Sequence, residues 1–393
     1  MKRFLALLLS LLYCGALIAC GPTNSPNGTP SAQDTLDNTT SITAENDENT
    51  EEDTKEEEMK ITDLSYALKD MTQSLKLHGR AAAQADGIAC DHTASGIEFS
   101  AYVEGPVTLT LTTSAEAYFT LYVDGVRSDE RIKAGAGTST LTLADFATGG
   151  VHTVRLLKQT EARLSLCVLS TLQFKGYLND APAQKQHYVV FIGDSITCGF
   201  GNLCANGTEN GGSAIYQDGT NTYAYLTAQK LDADLEAVSC SGIGITKGSD
   251  SIPFPAGELF SKQSKFRSDT QAFTPTRVPD LVVINLGTND AANGASVSQF
   301  MKDVKALIEL VRSTYGKDVP IVWAYNMMND SLYGSAKFAI SGLGGENAGI
   351  YACQLNQNHD GGVGHPSLAA HAEAAELLAQ FIRQKISSTE FHT

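Results

Sequence analysis

The stretch Tyr188-Val-Val-Phe-Ile-Gly-Asp-Ser-Ile-Thr197 decides how the second half of this chain folds. Its apolar run predicts a central strand, and Gly193 predicts a tight turn where that strand ends. Asp, Ser and Thr are residue types that start helices, so Ser195 is expected beside a helix N-terminus at the carboxyl edge of a sheet. Ligands bind at this edge in open α/β sheets, which makes Ser195 a candidate nucleophile. The alternative is that Asp194, Ser195 and Thr197 only cap the helix.

Residues 1–20 have the pattern of a signal peptide. Lys2 and Arg3 precede an apolar run from Phe4 to Ile18, which is too short for a comfortable membrane span. The run closes on Leu17-Ile-Ala-Cys20, which resembles the lipidation site of bacterial lipoproteins. We therefore expect a lipid on Cys20 that anchors the exported chain at the extracellular face of the cell membrane. An ordinary secretory signal with an incidental cysteine is the alternative.

Residues 21–74 are predicted to form an acidic, disordered tether. Between Ser31 and Lys60 the chain has eleven acidic residues and two lysines, a net charge of −9 within a total of −16. Such a segment buries too little apolar surface to order itself, and its like charges extend it. The acidic balance also argues against a nucleic-acid partner, which would need a basic face. Binding of a cation or a basic wall polymer by the acidic run is a further alternative.

The cysteines leave the redox state open. Besides Cys14 and Cys20, six remain, and an even number in an exported protein permits disulfides. Free buried thiols are the alternative, and the expectation adopted is one bridge in each domain. No Cys-x-x-Cys pair of the metal-binding type occurs. The six are Cys90, Cys167, Cys198, Cys204, Cys240 and Cys353.

Residues 75–183 are predicted to form an all-β domain. Short runs with period-two or β-rich character are separated by turn signals, and Asp124-Gly125 is a hairpin turn signal. So many strands within about 100 residues favour a β-sandwich or jelly roll, with a supporting or carbohydrate-contacting role. The predicted strands are Gly96–Val103, Val107–Thr113, Tyr118–Val123, Thr138–Leu143, Val151–Leu157 and Leu164–Phe174.

Residues 184–393 change to an alternation of strands and helices. Apolar runs between helices imply a parallel sheet covered on both faces, so a three-layer α/β domain is predicted. After the strand that ends at Gly193, the predicted elements are a helix over Thr222–Ala233, strands over Leu235–Ser239 and Asp280–Leu286, a helix over Val297–Tyr315, a strand over Val319–Ala324 and a helix over Ser367–Ile386.

Four segments at the predicted strand ends and helix starts supply the groups that acyl transfer needs. Ser195 is the candidate nucleophile, and Gly242 in Ser239-Cys-Ser-Gly-Ile-Gly244 can bring a bare backbone N–H close to a ligand. Asn289 in Gly287-Thr-Asn-Asp290 has an amide donor, and His365 stands just before the last helix. Each residue alone is explained equally well by a cap or a turn, but the four together in this order are a strong signal.

These four segments resemble the SGNH, or GDSL, hydrolase superfamily, whose fold is a three-layer α/β domain with a flavodoxin-like parallel sheet. The resemblance implies that Ser195 is the nucleophile and His365 the general base. It also implies an oxyanion hole formed by the backbone amides of Ser195 and Gly242 with the side chain of Asn289. The G-x-S-x-G elbow of the α/β-hydrolases is absent.

A narrower resemblance, to carbohydrate esterase family two, covers about residues 78–386 and both domains. The family removes acetyl groups from plant polysaccharides such as xylan and glucomannan without a metal, so the resemblance implies an acetylated polysaccharide or oligosaccharide as partner and no cofactor. The segments that resemble it are Gly79-Arg80, Val123-Asp-Gly125, Val151-His-Thr-Val154, Lys158-Gln-Thr-Glu-Ala162, Gly193-Asp-Ser-Ile-Thr-Cys-Gly199 and Pro279-Asp-Leu-Val-Val-Ile-Asn-Leu-Gly-Thr-Asn-Asp290.

One departure from the superfamily pattern concerns the base. The superfamily commonly has an Asp two or three residues before the catalytic His, and relatives have Asp-Trp-His there, but this chain has Gly362-Val-Gly364 before His365. We hypothesise that a backbone carbonyl near Gly362 or Val363 orients His365, giving a Ser–His dyad. Asp360 is the alternative partner.

The same departure removes an aromatic platform for sugar stacking. Trp323, Tyr325 or tyrosines such as Tyr216 are the candidates to replace it, although Trp323 lies inside a predicted strand and is equally well explained as core. Two other functions remain open: an esterase for lipid, peptidoglycan O-acetyl or aryl esters, and a sugar-binding lipoprotein without catalysis. The oligomeric state is left open by the sequence.

Overall fold

The computed structural model describes residues 61–386, which contain one antiparallel and one parallel β-sheet. These residues all belong to one compact unit, Glu58–Thr393. The predicted signal peptide, the lipid site at Cys20 and the predicted tether up to residue 60 lie outside the described residues.

The first sheet has ten strands, and all of its pairings are antiparallel. Apolar residues from both halves of β5, such as Phe99 and Leu109, belong to a single buried cluster. The sheet therefore folds over on itself around that core. The predicted all-β fold is therefore confirmed. The strands are β1 Thr62–Ala67, β2 Lys76–His78, β3 Ala82–Gln84, β4 Gly87–Ala89, β5 Gly96–Thr113, β6 Ala117–Val123, β7 Val126–Arg127, β8 Ile132–Ala134, β9 Gly137–Lys158 and β10 Cys167–Leu178.

Two pairs of predicted strands turn out to be single long strands. The predicted strands Gly96–Val103 and Val107–Thr113 are both part of β5, which continues through Gly105 at φ +79°. The pairing of β5 with β9 shifts register at this point, so a bulge bends the strand without ending it. The Asp124-Gly125 turn is confirmed, since both residues have positive φ and join β6 to β7.

The predicted tether is too long at its carboxyl end. Residues 62–67 form β1, which pairs with β10 from Thr62 opposite Gly176 to Ala67 opposite Thr171. Leu68, directly after β1, is fully buried in the core of the first sheet. Thr62–Ala67 therefore belong to the folded β-structure, because they cover an edge of β10 that would otherwise expose its backbone groups, and two 3-10 turns, Leu68–Asp70 and Thr72–Ser74, continue the fold to β2.

The second sheet has five parallel strands in the order β12-β11-β13-β14-β15. The chain begins at β11, adds β12 on one side and the other three on the opposite side, which is the flavodoxin-like order. The place where the order reverses is the carboxyl end of β11, where Ser195 follows. The strands are β11 His187–Gly193, β12 Ala233–Ser239, β13 Leu281–Asn285, β14 Ile321–Tyr325 and β15 Ile350–Gln354.

Helices cover both faces of this sheet, which confirms the three-layer α/β prediction. Alternate residues of β11 point to opposite layers: Val190 and Ile192 pack with α3, α5 and α6, and Val189 and Phe191 pack with α2 and α7. None of the helices within residues 61–386 has the length and apolar character that crossing a membrane requires. The helices are α1 Ser195–Cys198, α2 Tyr223–Lys230, α3 Ala256–Phe260, α4 Thr288–Ala292, α5 Val297–Tyr315, α6 Tyr333–Ser341 and α7 Leu368–Lys385.

The sequence analysis found every strand of the second sheet except β15, and among the helices it missed α3, α4 and α6. β15 is the edge strand, where Ile350 and Cys353 are buried and Gln354 is exposed, so it lacks the continuous apolar run of a central strand. Helix α6 contains Gly334 and Ser335 among its first residues, which weakens its helical pattern.

The two halves of the chain share a buried interface. The core beneath α2 includes Ala94, Tyr122 and Leu157 from the first half of the chain. The Arg80 guanidinium lies 2.8 Å from the Glu236 carboxylate of β12, and both side chains are almost wholly buried. The predicted boundary at residues 183 and 184 falls between β10 and β11, and the division of the chain into two domains there stays a prediction.

The expected disulfides are not present. All six cysteines within the described residues are free thiols, and five of them are buried. Cys240 follows β12 and Cys353 lies in β15, at opposite edges of the five-stranded sheet, so these two cannot pair. Burial raises the pKa of Cys353 to about 12, which keeps it protonated, and it packs as a small apolar side chain.

Candidate active site

Ser195 lies at the end of the central strand, in a turn too tight for any side chain at Gly193. A Cβ atom on Gly193 would lie 1.9 Å from Oγ1 of Thr197. Asp194 caps α1, and its carboxylate accepts a hydrogen bond from the N–H of Ile196 at 3.0 Å. The cap and the nucleophile position are thus adjacent residues, and Ser195 retains 6% exposure.

His365 contacts Ser195 directly. Its Nε2 lies 2.8 Å from Oγ of Ser195, and its Nδ1 lies 3.2 Å from the carbonyl oxygen of Val363. When Nδ1 donates to Val363, Nε2 is left as an acceptor for the Ser195 hydroxyl. Burial lowers the pKa of His365, and hydrogen bonds with the backbone of Val363 and Gly362 oppose that shift. The neutral form that can accept a proton is therefore favoured.

The side chain of Asp360 points to a different partner. Its carboxylate accepts a hydrogen bond from Nδ2 of Asn358 at 2.7 Å, and both side chains are in an exposed position. The described contact of Nδ1 of His365 is with the carbonyl of Val363 instead. The geometry agrees with the hypothesis of a backbone carbonyl at this place.

The loop that presents the Val363 carbonyl is held by a segment that follows α1. Val363 has φ +56°, a left-handed conformation that a β-branched residue rarely adopts. Its neighbours are tied down, because the N–H of Gly362 donates to the carbonyl of Gly201 at 2.8 Å and the N–H of Gly364 donates to Oδ1 of Asn206 at 3.1 Å. The surrounding structure thus maintains the unusual backbone.

Gly242 lies in the loop that follows β12, and its position there requires glycine. It has φ +86°, and a Cβ atom would lie 2.5 Å from Oγ of Ser249. Its carbonyl accepts from the N–H of Ser249 at 2.8 Å. The loop therefore has one compact conformation around a residue without a side chain.

Asp290 holds the far end of the same loop and was not singled out from the sequence. Its buried carboxylate accepts from three backbone N–H groups, of Ile245 at 2.9 Å, Thr246 at 2.7 Å and Lys247 at 2.8 Å. The signal available in the sequence was its place directly after Asn289 at the start of a helix. A buried carboxylate is stabilised when it accepts such hydrogen bonds.

Asn289 lies between the two turns. Its Nδ2 donates to the carbonyl of Ile243 at 2.9 Å and contacts the carboxylate of Asp194 at 3.3 Å. Burial raises the pKa of Asp194 to about 7, the N–H of Ile196 opposes the shift, and the nearby charge of Asp290 adds to it. The structure thus gathers all four predicted residues: Ser195 bonds to His365, and Asn289 links their turn to the loop of Gly242.

The proposed aromatic platform is not formed by Trp323 or Tyr325. Both are fully buried in β14, and the ring of Tyr325 stacks on Tyr333 with centroids 5.9 Å apart. A strand covered on both faces has no side chain free to meet a sugar. These two candidates were wrong, whereas Tyr216 is half-buried.

Phe200 is an aromatic neighbour of the site that the sequence analysis missed. Its ring centroid lies 4.7 Å from that of His365, and a Cβ atom on Gly212 would collide with it. The available signal was its place five residues after Ser195. Phe200 therefore shields one side of the imidazole from water.

Within residues 61–386 no group of three or more His, Cys, Asp and Glu side chains is arranged to hold a metal ion. The residues gathered at the edge are a hydroxyl, an imidazole, an amide and backbone N–H groups, which suit nucleophilic attack on a carbonyl carbon.

Both halves of the chain match known protein families. The GDSL-like lipase/acylhydrolase family matches residues 191–385, and the carbohydrate esterase 2 N-terminal domain matches residues 77–182. The cellulase/esterase CelE of Acetivibrio thermocellus is 30% identical over 320 residues, which cover 77% of this chain and 38% of that protein. This chain thus spans well under half of that relative.

Two further comparisons cover a larger share of the related protein. An acetylxylan esterase / glucomannan deacetylase of Cellvibrio japonicus is 24% identical over 270 residues, 64% of this chain and 72% of that protein. The solved structure of a family two carbohydrate esterase from Clostridium thermocellum in complex with cellohexaose has a TM-score of 0.74 and 28% identity. The match covers 79% of this chain and 99% of that one. With its N-terminal domain and its GDSL-type domain in the order of that family, the chain belongs to carbohydrate esterase family two.

Proposed function

We propose that this protein removes O-acetyl groups from plant polysaccharides such as xylan and glucomannan through an acyl-enzyme on Ser195. The observation that carries the proposal is the hydrogen-bonded series from Ser195 through His365 to the Val363 carbonyl. The names of the Cellvibrio japonicus relative and of the cellohexaose complex support the choice of polysaccharide as the substrate class.

In the proposed first step, Oγ of Ser195 attacks the acetyl carbonyl carbon while its proton passes to Nε2 of His365. The Val363 carbonyl orients the imidazole and stabilises the N–H on Nδ1, taking the place that an aspartate has in a triad. The carbonyl oxygen gains negative charge, which the N–H groups of Ser195 and Gly242 and the amide of Asn289 stabilise.

In the second half of the cycle, the sugar hydroxyl leaves with the proton held by His365. A water molecule then loses a proton to the same imidazole and attacks the acetyl-enzyme, so that acetate is released and Ser195 recovers its proton. Each proton transfer uses Nε2, because Nδ1 is engaged with Val363.

The decisive experiment compares wild type with Ser195→Ala for acetate release from acetylated xylan, acetylated glucomannan and a small acetyl ester. We expect acetate from at least one acetylated polysaccharide, and a loss of about 10³-fold or more in the variant. Hydrolysis of the small ester without release from either polysaccharide would indicate an esterase for other esters. Polysaccharide binding without any hydrolysis would indicate a sugar-binding protein and would refute the proposal.

We also propose that the protein acts at the extracellular face of the cell membrane, anchored by a lipid on Cys20. The support is the sequence pattern of Lys2, Arg3 and the apolar run that ends at Cys20. In a bacterial host, the wild-type chain should incorporate labelled fatty acid and sediment with membranes, and Cys20→Ala should do neither. Equal sedimentation of both chains without label would contradict the anchor.

A further inference from the structure

Glu161 is a fully buried acid that the first half of the chain inserts behind the active site of the second half. It follows β9 in the segment Lys158-Gln-Thr-Glu-Ala162, and its exposed fraction is 0%. A carboxylate at this depth is costly unless its oxygens accept hydrogen bonds from polar groups around it. Its partners therefore indicate what it is there to hold.

Both carboxylate oxygens have partners on the α/β half. Oε2 accepts from the N–H of Ser241 at 2.7 Å and lies 3.5 Å from Sγ of Cys198. Oε1 accepts from Nε2 of Gln217 at 3.2 Å, and the N–H of Glu161 donates to Oε1 of the same glutamine at 2.8 Å. One acid thus joins α1, which carries Ser195, to the loop that follows β12.

The backbone group that Glu161 binds is next to a proposed oxyanion donor. Ser241 immediately precedes Gly242, and the N–H of Ile243 on the other side donates to the carbonyl of Cys240 at 3.2 Å. Asp290 holds the far end of this loop through three N–H groups. Glu161 accepts the N–H of Ser241 at the near end, so the loop is held by one carboxylate from each half of the chain.

The segment that carries Glu161 is held in place by the ammonium group of Lys158. Nζ of Lys158, fully buried, donates to the carbonyls of Asp91 at 3.0 Å, Thr160 at 2.7 Å and Glu161 at 3.3 Å. The same ammonium places a positive charge next to the backbone of Thr160 and Glu161. The β-structure thereby delivers Glu161 at a defined position, which a flexible loop would not do.

We propose that Glu161 is a positioning residue for the esterase reaction, which holds the loop of Gly242 so that its N–H meets the oxyanion. The proposal rests on the proposed function and gives the all-β half a direct part in it. Through Ser241 it acts on the transition state rather than on sugar binding, so its loss should lower kcat and leave KM unchanged.

The test compares Glu161→Gln with Glu161→Met, two replacements of similar size. Glutamine keeps an oxygen acceptor for the N–H of Ser241, whereas methionine offers only a weakly accepting thioether sulfur. We expect the methionine variant to lose about 10- to 100-fold in kcat on a small acetyl ester, less than removal of a whole donor. KM should stay within about twofold, and the glutamine variant should keep kcat within about threefold of wild type.

The matched controls are Glu98→Gln and Glu98→Met. Glu98 is another carboxylate of the all-β half. Its Oε2 lies 2.8 Å from Nε2 of His78 in β2, and not beside a group of the candidate site. Both control variants should keep wild-type kcat. Near-UV circular dichroism at the assay temperature checks that every variant is folded.

A second readout separates this inference from the proposed substrate. Oγ of Ser195 attacks the phosphorus of a fluorophosphonate probe, its proton passes to His365 and fluoride leaves. Mass spectrometry gives the rate of this reaction without any acetylated sugar. Glu161→Met should slow this reaction by a similar factor. Wild type that reacts with the probe but releases no acetate would refute the proposed function and leave this test valid.

Three results would overturn the inference. The methionine variant could keep wild-type kcat and probe rate, which would show that the tie is not needed. Both Glu161 variants could lose the same activity with a rise in KM, which would show a general structural role. Wild type could react with neither ester nor probe, which would overturn the function and the inference together.

Discussion

The carbonyl oxygen of Val363 lies 3.2 Å from Nδ1 of His365, two residues further along the same loop. This distance joins an unusual backbone conformation, φ +56° at a valine, to the orientation of the proposed base. A backbone carbonyl does not titrate in the range where proteins fold, so a base oriented in this way keeps its partner at acidic pH, where an aspartate would lose its charge.

The first prediction concerns the conformation of Val363. Val363 is 59% exposed, so Val363→Gly removes little packing, keeps the carbonyl and relieves the strained φ. We expect kcat within about threefold of wild type. Val363→Pro imposes φ near −65°, moves the carbonyl and should lower kcat by about 10²-fold or more.

The control for this pair is Asp360→Ala, which should leave kcat within a few fold because the carboxylate contacts Asn358. Steady-state hydrolysis of a small acetyl ester measures all three variants. A loss of about 10³-fold in Asp360→Ala would show that the acid, and not the carbonyl, orients His365.

The second prediction concerns the amide of Asn289. Because we assign it to the oxyanion hole, Asn289→Ala should lower kcat by about 10²–10³-fold with a small change in KM. Its contacts with Ile243 and Asp194 also hold the loops together, so the melting temperature should be measured beside kcat. Full esterase activity in a folded Asn289→Ala variant would remove Asn289 from the mechanism.

The third prediction is the pH dependence of activity. His365 must be neutral to accept a proton, and burial lowers its pKa below the ordinary 6.5. The value of kcat/KM should therefore rise with pH, reach its half-maximum below pH 6.5 and stay level above it. Phe200→Ala exposes the imidazole to water and should shift the midpoint upward, towards 6.5. An unshifted midpoint in that variant would mean that Phe200 does not shield the ring.

The fourth prediction concerns stability and Asp194. Its pKa is raised from 3.8 to about 7 in the folded protein, so between these values the folded state binds more protons than the unfolded state. The free energy of unfolding should then fall as pH rises from about 4 to about 7, by up to about 4 kcal/mol from this group. Asp194→Asn lacks this proton, so the difference from wild type should grow over that range in urea unfolding. Parallel pH curves for the two proteins would contradict the raised pKa.

The sequence by itself determined the class of both halves and the four residues of the candidate site. Central strands buried on both faces are continuous apolar runs, as in Val189 to Ile192, and these are recognisable without a structure. Parallel strands end at one edge of a sheet, so the polar segments that follow them must meet there. Ser195, Gly242 and Asn289 were therefore predictable from their places after strands.

Tertiary structure alone decided which atoms meet. The carbonyl that faces His365 depends on contacts of its loop with residues about 160 positions earlier, such as Gly201 and Asn206. The burial of Trp323 depends on helices packed over β14, and the contact of Glu161 with Ser241 joins positions 80 residues apart. These contacts rest on distances between segments remote in sequence, which local propensity and periodicity do not encode.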